Sequence, residues 1–156
     1  MPQTDINLYR ALHKDGITPP FVVSGEPKES LLDPRWTDTS YFAGGQERTS
    51  RADVTYATNP TTGEREVQPG GGTSMHDAEG MLGFGFFKYF HVPDGTEYPD
   101  SLVITGGGER KWNRAGTVRA AHYQIEPRVP MTVDALKGAL DNFARNAVVR
   151  QVALAK

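Results

Sequence analysis

The clearest periodic pattern in the chain lies at its C-terminal end. Five apolar residues recur there at spacings of three and four, which places them on one face of a helix: Val133, Leu136, Leu140, Phe143 and Ala147. Thr132 precedes them as a suitable N-cap, and Asp134 suits the first helical turn. Gln151 falls next on the stripe, so the apolar face should end near it. The pattern predicts one amphipathic helix that packs on a sheet through Phe143.

Shorter segments upstream alternate in the way that strands do. They span residues 6–12, 101–105 and 117–126, and residues 83–92 are aromatic on both alternating faces, which predicts a strand covered on both sides. Between residues 16 and 68, turn formers such as Gly44-Gly45 and Asn59-Pro60 leave room only for short elements, including a strand near 21–23 and a helical turn near 29–32. Strands with few helices predict an α+β fold.

Length and composition narrow the classes of protein. A chain of 156 residues has the usual size of one domain, so residues 1–156 are expected to form a single unit. The net charge of −2 gives no global basic field for nucleic acid or an anionic membrane. The absence of cysteine excludes disulfides and thiolate chemistry and fits a reducing compartment. Neither a cleaved signal pattern nor an apolar run of membrane-spanning length is present, so any export should not require a cleaved signal.

The first predicted strand places a cation among apolar side chains. Ile6, Leu8, Arg10 and Leu12 share one face, and a guanidinium cannot be buried there without partners. One interpretation is an edge strand from which Arg10 reaches water. The other is that Arg10 binds an anion in a cleft, and the pattern alone does not separate the two.

A triple glycine at Gly70-Gly71-Gly72, followed by Thr73 and Ser74, is a candidate nucleotide turn. Glycine lets the backbone approach a ligand closely, amides at a helix start bind phosphate, and the two hydroxyls add hydrogen bonds. The segment lacks the lysine of a Walker motif and the spacing of the dinucleotide fingerprint. The alternative is an ordinary helix cap, in which Ser74 and Asp77 precede a short helical turn around residues 75–80.

The late strand gathers polar side chains on one face. His122, Gln124 and Glu126 alternate with apolar neighbours, a pattern that also describes any strand with one solvated face. A serine hydrolase arrangement of Ser74, His122 and Asp77 is conceivable but has no nucleophile-elbow sequence. The other histidines, His13, His76 and His91, lack metal-ligand spacing, so no metal is expected.

Taken together, these segments resemble the type VI secretion exported toxins of the "type six exported two" family, whose fold is similar to ADP-ribosyltransferases. The blocks follow the family's order over nearly the whole chain, and the Pro-Asp-Gly-Thr and C-terminal blocks are the specific ones. The matching segments are Leu8-Tyr9-Arg10-Ala11, Gly71-Gly72-Thr73-Ser74, Val92-Pro93-Asp94-Gly95-Thr96 with Pro99-Asp100 and Leu102, His122-Tyr123-Gln124-Ile125-Glu126-Pro127 with Pro130-Met131, and Leu140-Asp141-Asn142-Phe143-Ala144-Arg145-Asn146-Ala147.

The resemblance implies an ADP-ribosyltransferase-like α+β fold, with split mixed or antiparallel sheets, few helices, a C-terminal helix, and NAD as substrate in the cleft between the sheets. Arg10 matches a first-strand arginine near the NAD phosphate or ribose, while Thr73 and Ser74 match a polar pair on the central strand, which revises the helix-cap interpretation. The residues assigned in this way to NAD binding are Tyr9, Arg10, Gly72, Thr73, Ser74 and Tyr123.

The resemblance assigns the chemistry to Thr73, Ser74, His122 and Glu126. Many ADP-ribosyltransferases stabilise an oxocarbenium-like transition state with a glutamate, which this toxin family lacks in an obvious form. Gln124-Ile125-Glu126 mimics the glutamine-x-glutamate arrangement of arginine-modifying members, although Glu126 abuts Pro127 at the strand end. Either His122 or Glu126 is therefore expected to stabilise the positive charge.

The implied activity is that of an antibacterial toxin that transfers ADP-ribose from NAD to an unknown macromolecular acceptor. The alternatives are a toxin that hydrolyses NAD and a non-catalytic binding protein on the same fold. The implied partners are an immunity protein and a component of the secretion apparatus, with no membrane partner. The protein is expected to be made in the cytoplasm and to act in the cytoplasm of a target cell.

Overall fold

A computed structural model describes residues 1–13 and 31–156 of the chain. The strand predicted near residues 21–23 lies outside them, as does the first half of the helical turn predicted near 29–32. The elements, in chain order, are β1 (Leu8–His13), β2 (Thr39–Ala43), β3 (Gln46–Ser50), β4 (Tyr56–Thr58), β5 (Arg65–Val67), β6 (Thr73–His76), β7 (Phe87–Val92), β8 (Leu102–Gly106), β9 (Lys111–Trp112), β10 (Arg119–Ala120), β11 (His122–Pro127), β12 (Met131–Thr132) and α1 (Val133–Leu154).

A five-stranded sheet forms the centre of the molecule. Its strands lie in the order β7-β1-β6-β11-β8, and every neighbouring pair is antiparallel. Separate small sheets contain β12-β5-β4, β2-β3 and β9-β10. Together with the C-terminal helix, these antiparallel sheets confirm the predicted α+β class.

Helix α1 follows the sequence pattern closely. Thr132 is its N-cap and accepts a hydrogen bond from the backbone N–H of Ala135, and Asp134 lies in the first turn. The predicted stripe is the buried face, where Phe143 is fully buried and its ring stacks on Tyr98 with centroids 5.0 Å apart. Gln151 ends the stripe by donating from Nε2 to the carbonyl oxygen of His91 in β7. The helix therefore packs on the sheet as predicted.

The central sheet has one apolar face and one polar face. Leu8, Met75 and Ile125 from three adjacent strands are buried in the same core as the helix stripe. Because side chains alternate along a strand, the residues between them point to the opposite face, which does not join this core. We call this second face the open face; it carries Tyr9, Ser74, His76, His91, His122, Gln124 and Glu126.

Three sequence predictions are wrong in this part of the molecule. Residues 73–76 are strand β6, with neighbours on both sides, so neither a helix-start phosphate site nor a helix cap exists there. Strand β1 lies between β7 and β6, so Arg10 does not reach water from an edge strand; its residue is only 6% exposed. The strand predicted over residues 83–92 is limited to β7, Phe87–Val92, and the preceding Phe84 and Phe86 are exposed, so this aromatic segment is not covered on both faces.

Candidate active site

The two central strands of the open face bring polar side chains together. In the antiparallel register, Ser74 lies opposite Gln124 and His76 lies opposite His122. Paired residues of antiparallel strands project to the same face, about 5 Å apart at Cβ. Tyr9 of β1 is the next neighbour of His76 in the same row. The local sequence produces this row because polar residues occupy every second position of both strands.

A short hydrogen bond joins Ser74 and His122. The distance between Ser74 Oγ and His122 Nε2 is 2.7 Å. When the His122 proton resides on Nδ1, the serine hydroxyl donates to Nε2 and leaves the oxygen lone pairs free. His122 is exposed and Ser74 is half-buried, so both can be reached from solvent. The pair therefore presents a hydrogen-bonded hydroxyl and imidazole on the open face.

His76 supports this pair from the side. Its ring meets the ring of His122 edge to face, with centroids 5.3 Å apart. Burial lowers the pKa of His76, the neighbouring His122 and Arg10 lower it further, and Asp77 opposes them. His76 therefore remains neutral at neutral pH and presents an uncharged ring to the site.

A flat aromatic pair lies beside this row, towards the edge strand. Tyr9 stacks on His91 with ring centroids 4.8 Å apart and planes within 8°. His91 Nε2 is also hydrogen-bonded to Asn7 Oδ1 at 2.9 Å, which fixes the orientation of its ring. Burial lowers the pKa of His91, with Glu79 as the opposing influence. The stack gives the open face a rigid planar wall.

Glu126 lies at the other end of the row and is engaged by three donors. Its Oε2 accepts hydrogen bonds from Gln124 Nε2 at 2.8 Å and from Thr105 Oγ1 at 2.9 Å. Its Oε1 accepts the backbone N–H of Gly70 at 3.2 Å. The residue is only 8% exposed. The carboxylate thus fastens the glycine turn to β11 and β8.

Two of the three glycines of the turn, Gly71 and Gly72, pack closely on neighbouring backbone, whereas Gly70 is exposed. A Cβ at Gly72 would collide with the carbonyl oxygen of Ile125, and a Cβ at Gly71 would lie 2.5 Å from that of Asp53. Gly70 has a φ of +106°, a conformation that residues with side chains rarely adopt. These glycines are needed so that the chain can enter β6 directly against β11. Gly72 therefore shapes the site through the backbone.

Three of the predicted NAD-binding residues point to the core side of the sheet. Thr73 is fully buried, and its hydroxyl donates to the carbonyl oxygen of Leu32 at 2.6 Å. Arg10 donates to the carbonyl oxygens of Ser74 and Asp33, both at 3.0 Å. Tyr123 lies opposite Met75 and packs against the core. Arg10 and Thr73 thus hold β6 in place from behind the open face.

The structure therefore divides the predicted site residues. Tyr9, Ser74, His122 and Glu126 share the open face, whereas Arg10, Thr73 and Tyr123 do not. The sequence analysis did not include His76 and His91 among the site residues, because their spacing does not match that of metal ligands. The useful signal was the period of two in β6, which places His76 on the same face as Ser74.

The hydrolase triad considered from the sequence does not assemble. Asp77 accepts the backbone N–H of Ala121 at 2.9 Å through Oδ1 and pairs with Arg110 through Oδ2 at 2.5 Å, so both of its oxygens are engaged away from His122.

Among residues 1–13 and 31–156, no group of histidines and carboxylates forms a candidate metal site. The same residues contain no helix with the length and apolar character needed to cross a bilayer.

Comparison with known proteins places the chain among toxins. A sequence model described as Tse2 ADP-ribosyltransferase toxin matches residues 4–152. The curated protein Toxin Tse2 of Pseudomonas aeruginosa is 41% identical over 81 residues. That match covers 52% of this chain and 48% of the relative, so it spans about half the length of each protein. The family match includes every strand of the central sheet.

Proposed function

Because this chain belongs to the Tse2 ADP-ribosyltransferase toxin family, we propose that it transfers ADP-ribose from NAD to a macromolecule of the target cell. The observation that carries the proposal is the 2.7 Å hydrogen bond between Ser74 Oγ and His122 Nε2 on the open face. A reactive pair of this kind on an accessible face, between the two central strands, is a suitable place for a substrate. Toxicity follows from modification of an essential molecule.

The residues of the open face fit the chemistry of NAD. Hydroxyl and imidazole groups suit the ribose hydroxyls, and the planar Tyr9–His91 stack offers apolar surface and a ring edge to a heteroaromatic ring. The neutral ring of His76 adds no positive charge next to a nicotinamide that is itself cationic. The chain of donors and acceptors from Ser74 to Glu126 can therefore accommodate a charged sugar derivative.

The reaction breaks the bond between the nicotinamide nitrogen and ribose C1′ and forms a bond from C1′ to a nucleophile of the acceptor, which loses a proton; nicotinamide leaves as a neutral molecule. Positive charge develops on the ribose in this step. With the His122 proton on Nδ1, the Ser74 hydroxyl donates to His122 Nε2 and directs its oxygen lone pairs outwards, so the oxygen stabilises that charge through its dipole. His122 maintains this orientation of the hydroxyl.

Glu126 is the second residue that bears on the developing charge. A carboxylate has about four acceptor positions, and three are occupied by Gly70, Gln124 and Thr105. One position remains for a ribose hydroxyl. The low exposure of Glu126 and its three donors make it chiefly a positioning residue, so we assign the direct contact with the reacting sugar to Ser74 and His122.

The biological setting follows as part of the same proposal. A toxin of this kind is an antibacterial effector of type VI secretion, made in the producer cytoplasm, exported through that apparatus, and active in the cytoplasm of a competitor. A cognate immunity protein protects the producer. The family membership supports this setting, and co-purification of the chain with the product of a neighbouring gene tests the immunity partner.

Incubation with labelled NAD and target-cell lysate tests the activity. With label on the adenylate phosphate, we expect it to enter the macromolecular fraction, and digestion with protease or nuclease then identifies the acceptor class. Release of free ADP-ribose without any labelled macromolecule would instead indicate NAD hydrolysis. A folded chain that neither binds NAD by calorimetry nor releases nicotinamide would rule the proposal out and leave a binding protein on this fold.

A further inference from the structure

The connection between β8 and β11 concentrates positive charge in a chain that is slightly acidic overall. Residues 107–119 contain one carboxylate, Glu109, and four cations: Arg110, Lys111, Arg114 and Arg119. The whole chain has a net charge of −2. The short strands β9 and β10 make a hairpin of this segment, and all of its cations are exposed. The charge is therefore presented to solvent.

The same hairpin exposes a tryptophan. Trp112 is 62% exposed, although a large aromatic side chain is normally buried or matched to a ligand. It lies directly opposite Arg119, so ring and guanidinium emerge on one face of the hairpin. On the other face Lys111 is paired with Ala120, which is 1% exposed and so faces the protein. The Trp112 face is thus the outward one.

Two of the four cations form hydrogen bonds within the hairpin, since Arg119 Nε donates to the carbonyl oxygen of Arg110 at 3.3 Å, but only Arg110 is paired with a carboxylate. Arg110 pairs with Asp77, and its NH2 also donates to the carbonyl oxygen of Arg119 at 2.9 Å, which ties the hairpin to the end of β6. Over residues 1–13 and 31–156, Lys111, Arg114 and Arg119 form no ion pair with a carboxylate. Three positive charges therefore remain available to a partner.

The base of the hairpin adjoins the candidate active site. The backbone N–H of Gly107 donates to the carbonyl oxygen of His122 at 3.0 Å, and β10 ends two residues before His122. Asp77, which follows His76 in the chain, accepts from the backbone N–H of Ala121. A chain bound along the hairpin would consequently approach the Ser74–His122 pair.

We propose that the β9–β10 hairpin binds single-stranded nucleic acid, with a base stacked on Trp112 and phosphates paired with Arg114 and with Arg119, which lies opposite Trp112. An acidic protein surface would satisfy the cations but has no need of an exposed ring, whereas an unpaired base offers a planar face to it. Nucleic acid binding by this surface does not depend on the proposed function. The further consequence, that the ADP-ribose acceptor is a nucleic acid strand, rests on the proposed function.

Fluorescence anisotropy with a labelled single-stranded RNA of about 20 nucleotides, a length that covers a typical single-strand site, tests the surface. We expect Trp112→Ala to weaken binding about tenfold and to leave its salt dependence unchanged, because stacking involves no counterion release. Arg114→Glu should weaken binding and also flatten the salt dependence. The β2–β3 hairpin supplies matched controls, Phe42→Ala at a side chain that is 79% exposed and Arg48→Glu, which should bind as the unaltered chain does.

Three results would overturn the inference. The first is that the unaltered chain does not bind the RNA, and the second is that the Phe42 and Arg48 controls lose as much affinity as the hairpin variants. The third is binding of polyglutamate that needs Arg114 but not Trp112, which would indicate an acidic protein partner. Nicotinamide release from NAD separates this surface from the proposed function. Release without RNA binding removes the surface alone. RNA binding without release under any condition removes the proposed function and leaves the surface intact.

Discussion

The two ends of the polar row on the open face differ in how much freedom they leave to a substrate. At one end, Ser74 and His122 share a single hydrogen bond and remain accessible. At the other end, Glu126 is 8% exposed and accepts from three donors on three segments. Strand β11 therefore carries both His122, which forms the accessible pair with Ser74 of β6, and a carboxylate that fixes the surrounding backbone.

The largest effect on activity is expected at the accessible end. Ser74→Ala removes the oxygen assigned to the developing charge and should lower nicotinamide release by about 100-fold, the usual effect of losing one such group. Because the Ser74 side chain is half-buried and bonds only His122 among the described contacts, the fold should remain intact. Nicotinamide release and thermal unfolding are measured on the same preparation.

Thr73→Ala is the matched control, one residue away and on the opposite face. It leaves the buried carbonyl oxygen of Leu32 without its donor, so it should lower the free energy of unfolding by about 1–3 kcal/mol and change turnover little. Thr73→Ser, which retains the hydroxyl, should restore the bond and most of the stability. Loss of turnover in a folded Thr73→Ala chain, with activity retained in Ser74→Ala, would invert our assignment of the two residues.

A smaller effect on activity is expected at the fixed end. Glu126→Gln keeps the shape of the side chain but replaces Oε2 by a donor, which cannot accept from Gln124 Nε2. We expect the free energy of unfolding to fall by about 1–3 kcal/mol and nicotinamide release to fall no more than about tenfold, through displacement of the Gly70 turn. A drop equal to that of Ser74→Ala, without loss of stability, would make Glu126 the direct charge stabiliser.

Sequence reasoning was successful where one local pattern determines the result. The helix stripe ending near Gln151, its Thr132 cap and the strand near residues 101–105 were all predictable, because periodicity and capping act within one element. The strand predicted over residues 117–126 is divided into β10 and β11. The family resemblance, in turn, predicted the toxin and ADP-ribosyltransferase membership. The glycine turn was misinterpreted because its constraint, the close approach of Gly72 to Ile125, comes from a strand 53 residues later in the chain.

The division between Thr73 and Ser74 shows a second limit. Neighbouring strand residues point to opposite faces, so only one of them can line the open face. The family resemblance assigned the Thr73 and Ser74 hydroxyls to the same site. The charge of Arg10, in turn, argued against a buried position on a central strand. The structure explains the burial of Thr73 and Arg10, because the carbonyl oxygens of Leu32 and Asp33 accept their hydrogen bonds on the core side of β6. Such long-range partners cannot be read from local alternation.

The smallest expected effect concerns the half-buried His76, beneath the exposed His122. Burial, His122 and Arg10 lower its pKa, and Asp77 raises it, with the lowering influences stronger. In the unfolded chain its pKa returns to about 6.5. As the pH falls below that value, the unfolded state binds a proton that the folded state does not bind, which favours unfolding. Stability should therefore be full above this range and decline as the pH falls towards the folded pKa.

His76→Gln removes this contribution and keeps a polar, uncharged side chain on the open face. We expect its urea-unfolding curves to change less than those of the unaltered chain between about pH 7.5 and pH 5.5, a range in which histidines are the main titrating side chains. His91, whose pKa burial also lowers, should retain its own share of the acid sensitivity in both chains. An identical pH dependence in the two chains would mean that folding does not lower the pKa of His76, and that water reaches its ring.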